Sequence, residues 1–208
     1  GSDERPTMFT VAKLKEKFPT TRVSKGPAVF DQKKLRVING RHLRLIPNDE
    51  FADLLVEWLT DTGYLADKGP EAADLVRQTA PLVKRKIGTF ADYDELAGWL
   101  FRPLEIEPEA LEVVTRDIKP SIQVIGGGLG RLETLDEWTL PAIKDALQDQ
   151  LHILGEAARD FLEPQRIAIT GTVVSTGVYE SLALLGREET LRRYRDMLGR
   201  LSDIWAAA

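Results

Sequence analysis

The sequence predicts an all-α chain built as two consecutive helical-bundle subdomains, residues 3–105 and 106–208. Three observations carry that expectation. Apolar residues recur at three- and four-residue spacing, in Phe51, Leu54, Leu55, Trp58 and Leu59 and again in Trp138, Ile143, Leu147, Leu151 and Leu154, the stripe by which one helix packs on another. Strand signals are weak throughout. Helical periodicity is interrupted between Pro103 and Pro120, by Arg102-Pro-Leu-Glu-Ile-Glu-Pro108 and Ile118-Lys-Pro120, whose imide nitrogens cannot donate a helix hydrogen bond.

Taken in order, Gly1-Ser2 reads as an expression scar and is set aside, with the expectation that the chain is a piece of a longer protein. The Phe51–Leu59 stripe supplies a core helix of the first bundle, which ends at the proline break. Beyond it, Gly126-Gly-Gly-Leu-Gly130 reads as a flexible linker between helices. It lacks the Gly-Lys-Ser/Thr ending and preceding strand of a phosphate loop, and Arg131 stands where a dinucleotide fingerprint has its third glycine. Thr134-Leu-Asp-Glu137 reads as a capping box opening a helix, with hydroxyl and carboxylate satisfying free N–H groups. Ile167–Ile169 reads as a strand-like turn without a partner. Gly186 is placed to end a helix in a left-handed residue, and Gly199 is either another such terminator or an interior glycine of the last helix. No internal repeat is visible.

Composition excludes several classes of function. There is no Cys, which rules out disulfide frameworks and thiolate metal sites and is compatible with a reducing compartment. His42 and His152 stand far apart without ligand-spaced carboxylates and read as helix-surface or interface residues. No Gly-x-Ser-x-Gly elbow occurs, and the acid pairs Asp92/Asp94 and Glu105/Glu107 fit helix starts or loops. The chain is expected to carry no catalytic centre. No apolar run approaches the ~20 residues that span a bilayer and no signal peptide is visible, so a soluble, cytoplasmic protein is expected. The net charge of −5 argues on average against nucleic acid. The basic residues are nevertheless clustered, as Arg187, Arg192, Arg193, Arg195 and Arg200 near the C-terminus and as Lys84-Arg85-Lys86. Solvated helix faces are the plain alternative reading of both clusters.

The stretch Arg166–Gly186 sets one arginine and a small-residue loop ahead of a short helix. A guanidinium is a planar fork of donors that can meet the acceptors of an unstacked pyrimidine, and single-stranded RNA loops are read on those edges. Gly177 permits close approach of a backbone to a base, Ser175 and Thr176 bring hydroxyls, and Val178 with Tyr179 offers apolar surface to a splayed base. Tyr179 reads equally well as a core aromatic of the helix carrying Leu182 and Leu185.

The residues Thr170, Gly171, Gly177, Val178, Tyr179, Glu180, Leu182, Leu184, Leu185 and Gly186 resemble the T-G…G-[LVI]-[FY]-E-x-[LM]-x-L-L-G run in the C-terminal anticodon-binding region of bacterial glutamyl-tRNA synthetases. A second stretch, Arg22-Val-Ser-Lys-Gly-Pro-Ala-Val-Phe-Asp31 with Lys34-Leu35 and Asn39-Gly40, is similar to the segment that in this family follows the ATP-binding loop. Glu137-Trp138-Thr139 between them also fits, so the resemblance spans nearly the whole chain. Two departures are Val37-Ile38, where an aromatic usually precedes the Asn-Gly pair, and the glycine run.

The resemblance implies a tRNA anticodon recognition module that selects glutamate tRNA for its parent enzyme. In this family an arginine four residues before the Thr-Gly pair contacts anticodon bases, the place held here by Arg166, and an arginine of the first bundle reads the last base, a role assigned to Arg85 with a phosphate-facing or merely solvated residue as alternatives. Ser175, Thr176, Gly177, Val178 and Tyr179 are expected to complete the base pocket, and Arg192, Arg193 and Lys84 to meet the tRNA backbone. The parent is expected to use ATP and Mg²⁺, while this stretch is expected to bind no cofactor or metal of its own and to be inactive alone. Glutamate tRNA is the expected partner, with no DNA, no membrane and a monomeric state. The rival reading is a non-enzymatic helical module for protein–protein interaction.

Overall fold

Asp31 opens the first helix, α1 (Gln32–Leu45), by accepting the Lys34 amide at 3.0 Å, one of the donors a helix start leaves free. The computed structural model describes residues 31–155 and 157–207. Gly1-Ser2, read as an expression scar, and residues 22–30 of the second motif lie outside the described residues. Helices α2 (Asn48–Asp61), α3 (Ala72–Lys84) and α4 (Tyr93–Ala97) follow, with 3-10 turns at Phe90–Asp92 and Gly98–Phe101. Then come α5 (Pro108–Arg116), α6 (Ile118–Glu133), α7 (Leu140–Leu154), α8 (Ala158–Thr170), α9 (Val178–Leu185) and α10 (Arg187–Ala207). The fold is all-α, and among the described residues no helix is long and apolar enough to cross a membrane.

Two hydrophobic cores form. In the first, Phe51, Leu55 and Leu59 of α2 meet Val76, Ala80 and Val83 of α3, and Ile87, Tyr93 and Leu96 close the cluster. The Asn39-Gly40 pair docks α1 on the turn after α3. Asn39 donates its side-chain N–H to the Gly88 carbonyl at 2.6 Å, and at Gly40 a Cβ would lie 3.0 Å from the Ile87 carbonyl. The capping box is in this half, at Thr89 and Asp92, with Gly88 N–H and Thr89 N–H both on Asp92 Oδ2 at 2.7 and 3.0 Å. The box expected at Thr134–Glu137 does not form. Thr134 instead caps the C-terminus of α6, its hydroxyl donating to the Arg131 carbonyl at 2.9 Å, and Thr139 is the N-cap of α7, followed by Pro141 in the first turn.

The second core is built around α6, against which α7, α8 and α10 pack, with Val124, Ile125 and Leu132 meeting Ile143, Leu147, Phe161, Tyr194 and Leu201. The glycine run is not a linker, because Gly126–Gly130 lies inside α6. Each interior glycine costs about 1 kcal/mol against alanine, and at Gly127 and Gly128 close approach of the neighbouring helices offsets it. At Gly127 a Cβ would collide with Gln150, and at Gly128 it would stand 2.6 Å from Gln165 Oε1. Both glutamines are buried and donate to the Val124 carbonyl, at 3.0 and 3.4 Å.

Ile167–Ile169 is also corrected, from a strand-like turn to the last turn of α8. All three residues are fully buried, since this turn is covered on every side and a short apolar run cannot tell such a helix from a strand. Gly171 ends α8 at φ 75°, its N–H on the Ile167 carbonyl at 2.9 Å, and the Glu105 carbonyl occupies the space a side chain would need. Gly186 ends α9 at a positive φ, whereas Gly199 is interior to α10.

Candidate nucleic-acid interface

The loop between Gly171 and Gly177 runs along the seam of the two cores. Glu107 N–H donates to the Gly171 carbonyl at 2.9 Å, Thr176 N–H to the Leu96 carbonyl at 3.2 Å, and the Lys86 ammonium to the Ser175 carbonyl at 2.6 Å. Its most exposed apolar residue is Val174.

Arg166 reaches the loop from the last turns of α8. It is half-buried, with Nη1–H 3.4 Å from the Val173 carbonyl, while its buried Nε–H has no acceptor among the described residues. Burial holds the guanidinium below its ordinary pKa, a shift that Glu163 opposes. Lys86 is also shifted down, first by desolvation of its ammonium and then by the Arg166 charge, with Glu180 opposing. Arg166 and Lys86 therefore each place a donor on the loop, Arg166 from a half-buried position and Lys86 from an exposed one. A base edge or anion at this place can supply the acceptor that the Arg166 Nε–H lacks.

The other expected pocket residues are mostly internal. Ser175 is buried with its hydroxyl on the Thr176 carbonyl at 3.0 Å, and the fully buried Thr176 hydroxyl pairs with Ser181 at 2.7 Å. Val178 is buried in the second core. The side chains of these three therefore belong to the packing that seats the loop. Gly177 precedes α9 in an extended conformation, and a side chain there would collide with the Glu180 carboxylate. Tyr179 is half-buried against the second core, and burial followed by the Glu180 charge raises its phenol pKa.

The basic residues divide likewise. Lys84, expected at the tRNA backbone, faces inward, being 7% exposed with its ammonium on the Ile46 carbonyl and on Asn48 Oδ1 at 2.9 Å. Arg193, 4% exposed, is likewise removed from solvent by the Ile169 carbonyl, Glu189 and the Trp99 ring. Arg192 is exposed but compensated, its Nε and Nη2 on Glu189 at 2.7 and 2.6 Å and its Nη1 on Asp196 at 2.6 Å. Hydrogen bonding from Arg192 is the main reason the Glu189 carboxyl is held down to about 2. Arg85 is exposed at the end of α3. Lys86, which the sequence reading left without a role, is the residue of its triplet that reaches the loop. The helix phase carried a signal, since Ala72, Val76, Ala80 and Lys84 follow one another at four-residue spacing and so share the buried face of α3.

A cavity of about 350 Å³ beside Trp99, Thr172 and Val173 is lined by Asp94, Glu95, Glu105, Glu107 and Glu109. Arg102 also lines it, paired with Asp94, but the surplus of carboxylates disfavours phosphate there, whereas Lys86 and Arg166 meet the loop with the sign RNA requires. His42 and His152 are exposed helix residues, and among the described residues no group of three or more His, Asp or Glu is arranged to hold a metal.

Comparison with known proteins shows the family. The anticodon binding domain family matches residues 50–198. The glutamate–tRNA ligase of Saccharopolyspora erythraea is 38% identical over 197 residues, covering 92% of this chain and 39% of that protein. That of Acidothermus cellulolyticus is 36% identical over 194 residues, covering 90% and 38%. The chain thus spans about two fifths of the length of these relatives. A crystal structure of a glutamate tRNA ligase from Elizabethkingia meningosepticum, in complex with its amino acid, shares the fold with a TM-score of 0.68 at 17% identity, covering 88% of this chain and 35% of that one. These matches do not favour a protein–protein interaction module.

Proposed function

The chain belongs to the anticodon-binding domain family, and from that premise we propose that it reads the anticodon of glutamate tRNA on behalf of an ATP-dependent glutamate–tRNA ligase. The observation that carries the proposal is the Arg166–Lys86 pair, two donors of like charge that meet one loop, with the buried Arg166 Nε–H left without an acceptor among the described residues. Arg166 offers its planar fork to the acceptor edge of an unstacked base, Lys86 a point charge to a carbonyl or phosphate, and Val174 and Tyr179 apolar surface beside them. Arg85 contributes charge at the rim.

Selection is the part of the reaction these residues perform. The interior amides of a helix are committed to carbonyls four residues back, so the glycine run within α6 is no phosphate cradle. ATP and Mg²⁺ belong in this proposal to residues outside those described. The protein acts in the cytoplasm, as a monomer on the anticodon loop and stem.

Binding of glutamate tRNA by the Arg166→Ala and Lys86→Ala variants tests the assignment. Each substitution is expected to weaken binding by about 1–3 kcal/mol with an unchanged melting transition. Unaltered affinity in both variants refutes it.

A further inference from the structure

The loop that carries the proposed reading surface is held at both ends by groups that do not face RNA. At its start the Arg193 Nη1–H donates to the Ile169 carbonyl at 2.5 Å, and Nε–H to Glu189 at 2.7 Å. Ile169 lies in the last turn of α8, where free carbonyls and the negative end of the helix dipole favour a cation. At its far end the Leu96 carbonyl accepts two donors, the Thr176 amide at 3.2 Å and the Trp99 indole N–H at 3.1 Å. Trp99 connects the two anchor points, because the Arg193 guanidinium carbon stands 5.9 Å from its ring centre.

This chain of contacts crosses the seam. Trp99 and Leu96 belong to the first half, whereas Arg193, Ile169 and Thr176 belong to the second. Burying a guanidinium is costly, and apolar residues of similar volume fill such a space at least as well. Its place between a helix end and an aromatic of the other half gives it a different task. Arg166 comes from α8 and Lys86 from the turn after α3, so the distance between their donors follows from how the halves are joined along this loop.

We infer that Arg193 and Trp99 are a positioning pair that seats the Gly171–Gly177 loop against the first half, and that discrimination between anticodons depends on them although neither side chain reaches RNA. The inference rests on the reading surface proposed above. A site that measures base edges with two converging donors needs them placed to about 0.5 Å, and the pair supplies that constraint.

Two variants of the 208-residue chain test it. Trp99→Phe keeps an aromatic ring over Arg193 and deletes the indole donor; Arg193→Lys keeps the charge and deletes the fork. Helicity by circular dichroism is expected to persist in both. Exchange of the Thr176 amide is expected to quicken about tenfold in Trp99→Phe, the worth of about one hydrogen bond. The affinity ratio between glutamate tRNA and the same tRNA with an altered anticodon is expected to fall about fivefold in each variant. The salt dependence of binding stays as it was, because no phosphate contact is removed. Unchanged protection of the Thr176 amide overturns the inference, as does an unchanged affinity ratio in both variants while Arg166→Ala collapses it. If Arg166→Ala also leaves the ratio intact, the reading surface itself fails and the selectivity claim with it, and the Arg166 arm tells the two failures apart.

Discussion

Three consecutive basic residues straddle the end of α3, and their fates differ because Lys84 is the last residue on its buried stripe while Arg85 and Lys86 lie in the turn beyond it. Lys84 continues the buried stripe and finds the Ile46 carbonyl and Asn48, Arg85 faces solvent, and Lys86 crosses to the Ser175 carbonyl. Lys84→Ala is therefore expected to lower stability by about 1–3 kcal/mol, since it strands a buried acceptor, while the affinity of the folded variant for tRNA and its salt slope stay unchanged. Urea unfolding and a tRNA titration check both parts, and weakened binding by a stable variant would restore Lys84 as a phosphate contact. The same division separates Arg166 from its expected neighbours. A forked donor before a Thr-Gly pair was legible from the sequence, whereas the inward turn of Ser175 and Thr176 was not. Short hydroxyl side chains look exposed in a small-residue loop, and burial of these two depends on partners, Ser181 for Thr176 and the Thr176 carbonyl for Ser175.

At the scale of helices, periodicity located the stripes on α2 and α7 because long apolar faces leave a repeating pattern. It misplaced elements wherever a local rule met a tertiary one. Thr134 and Thr139 both satisfy the composition of an N-cap, and the choice between them falls to the chain that positions Trp138, whose indole donates to the Leu182 carbonyl at 3.1 Å. The glycines of α6 obey packing over propensity. Gly128→Ala is expected to destabilise by about 1–3 kcal/mol, because the added methyl presses on Gln165, which is fully buried and held by Val124 and by the Tyr194 hydroxyl. Gly130→Ala meets nothing within 4 Å and is expected to stabilise by about 0.5–1 kcal/mol. Thermal melts of the two variants read opposite signs, and a gain in both would show that the run is not packed as described.

Across the whole molecule, a net charge of −5 is reconciled with an RNA partner by distribution. Carboxylates gather in the cavity beside Trp99 and pair with Arg192, Arg193 and Arg195 of α10, while Lys86 and Arg166 meet the loop. Total charge could not reveal this, since a pair such as Arg195 with Glu133, which joins α10 to α6, depends on which helix faces meet. The two cores and the seam loop together form a surface whose donors come from both halves, and that joint surface is the basis of the proposed anticodon reading. The most direct test is the affinity of the unmodified chain for glutamate tRNA and for the same tRNA with its anticodon bases replaced, at one fixed salt concentration. Recognition through base edges predicts that replacement weakens binding by about tenfold or more, in line with 1–3 kcal/mol for each misread position; equal affinity for the two tRNAs would contradict it.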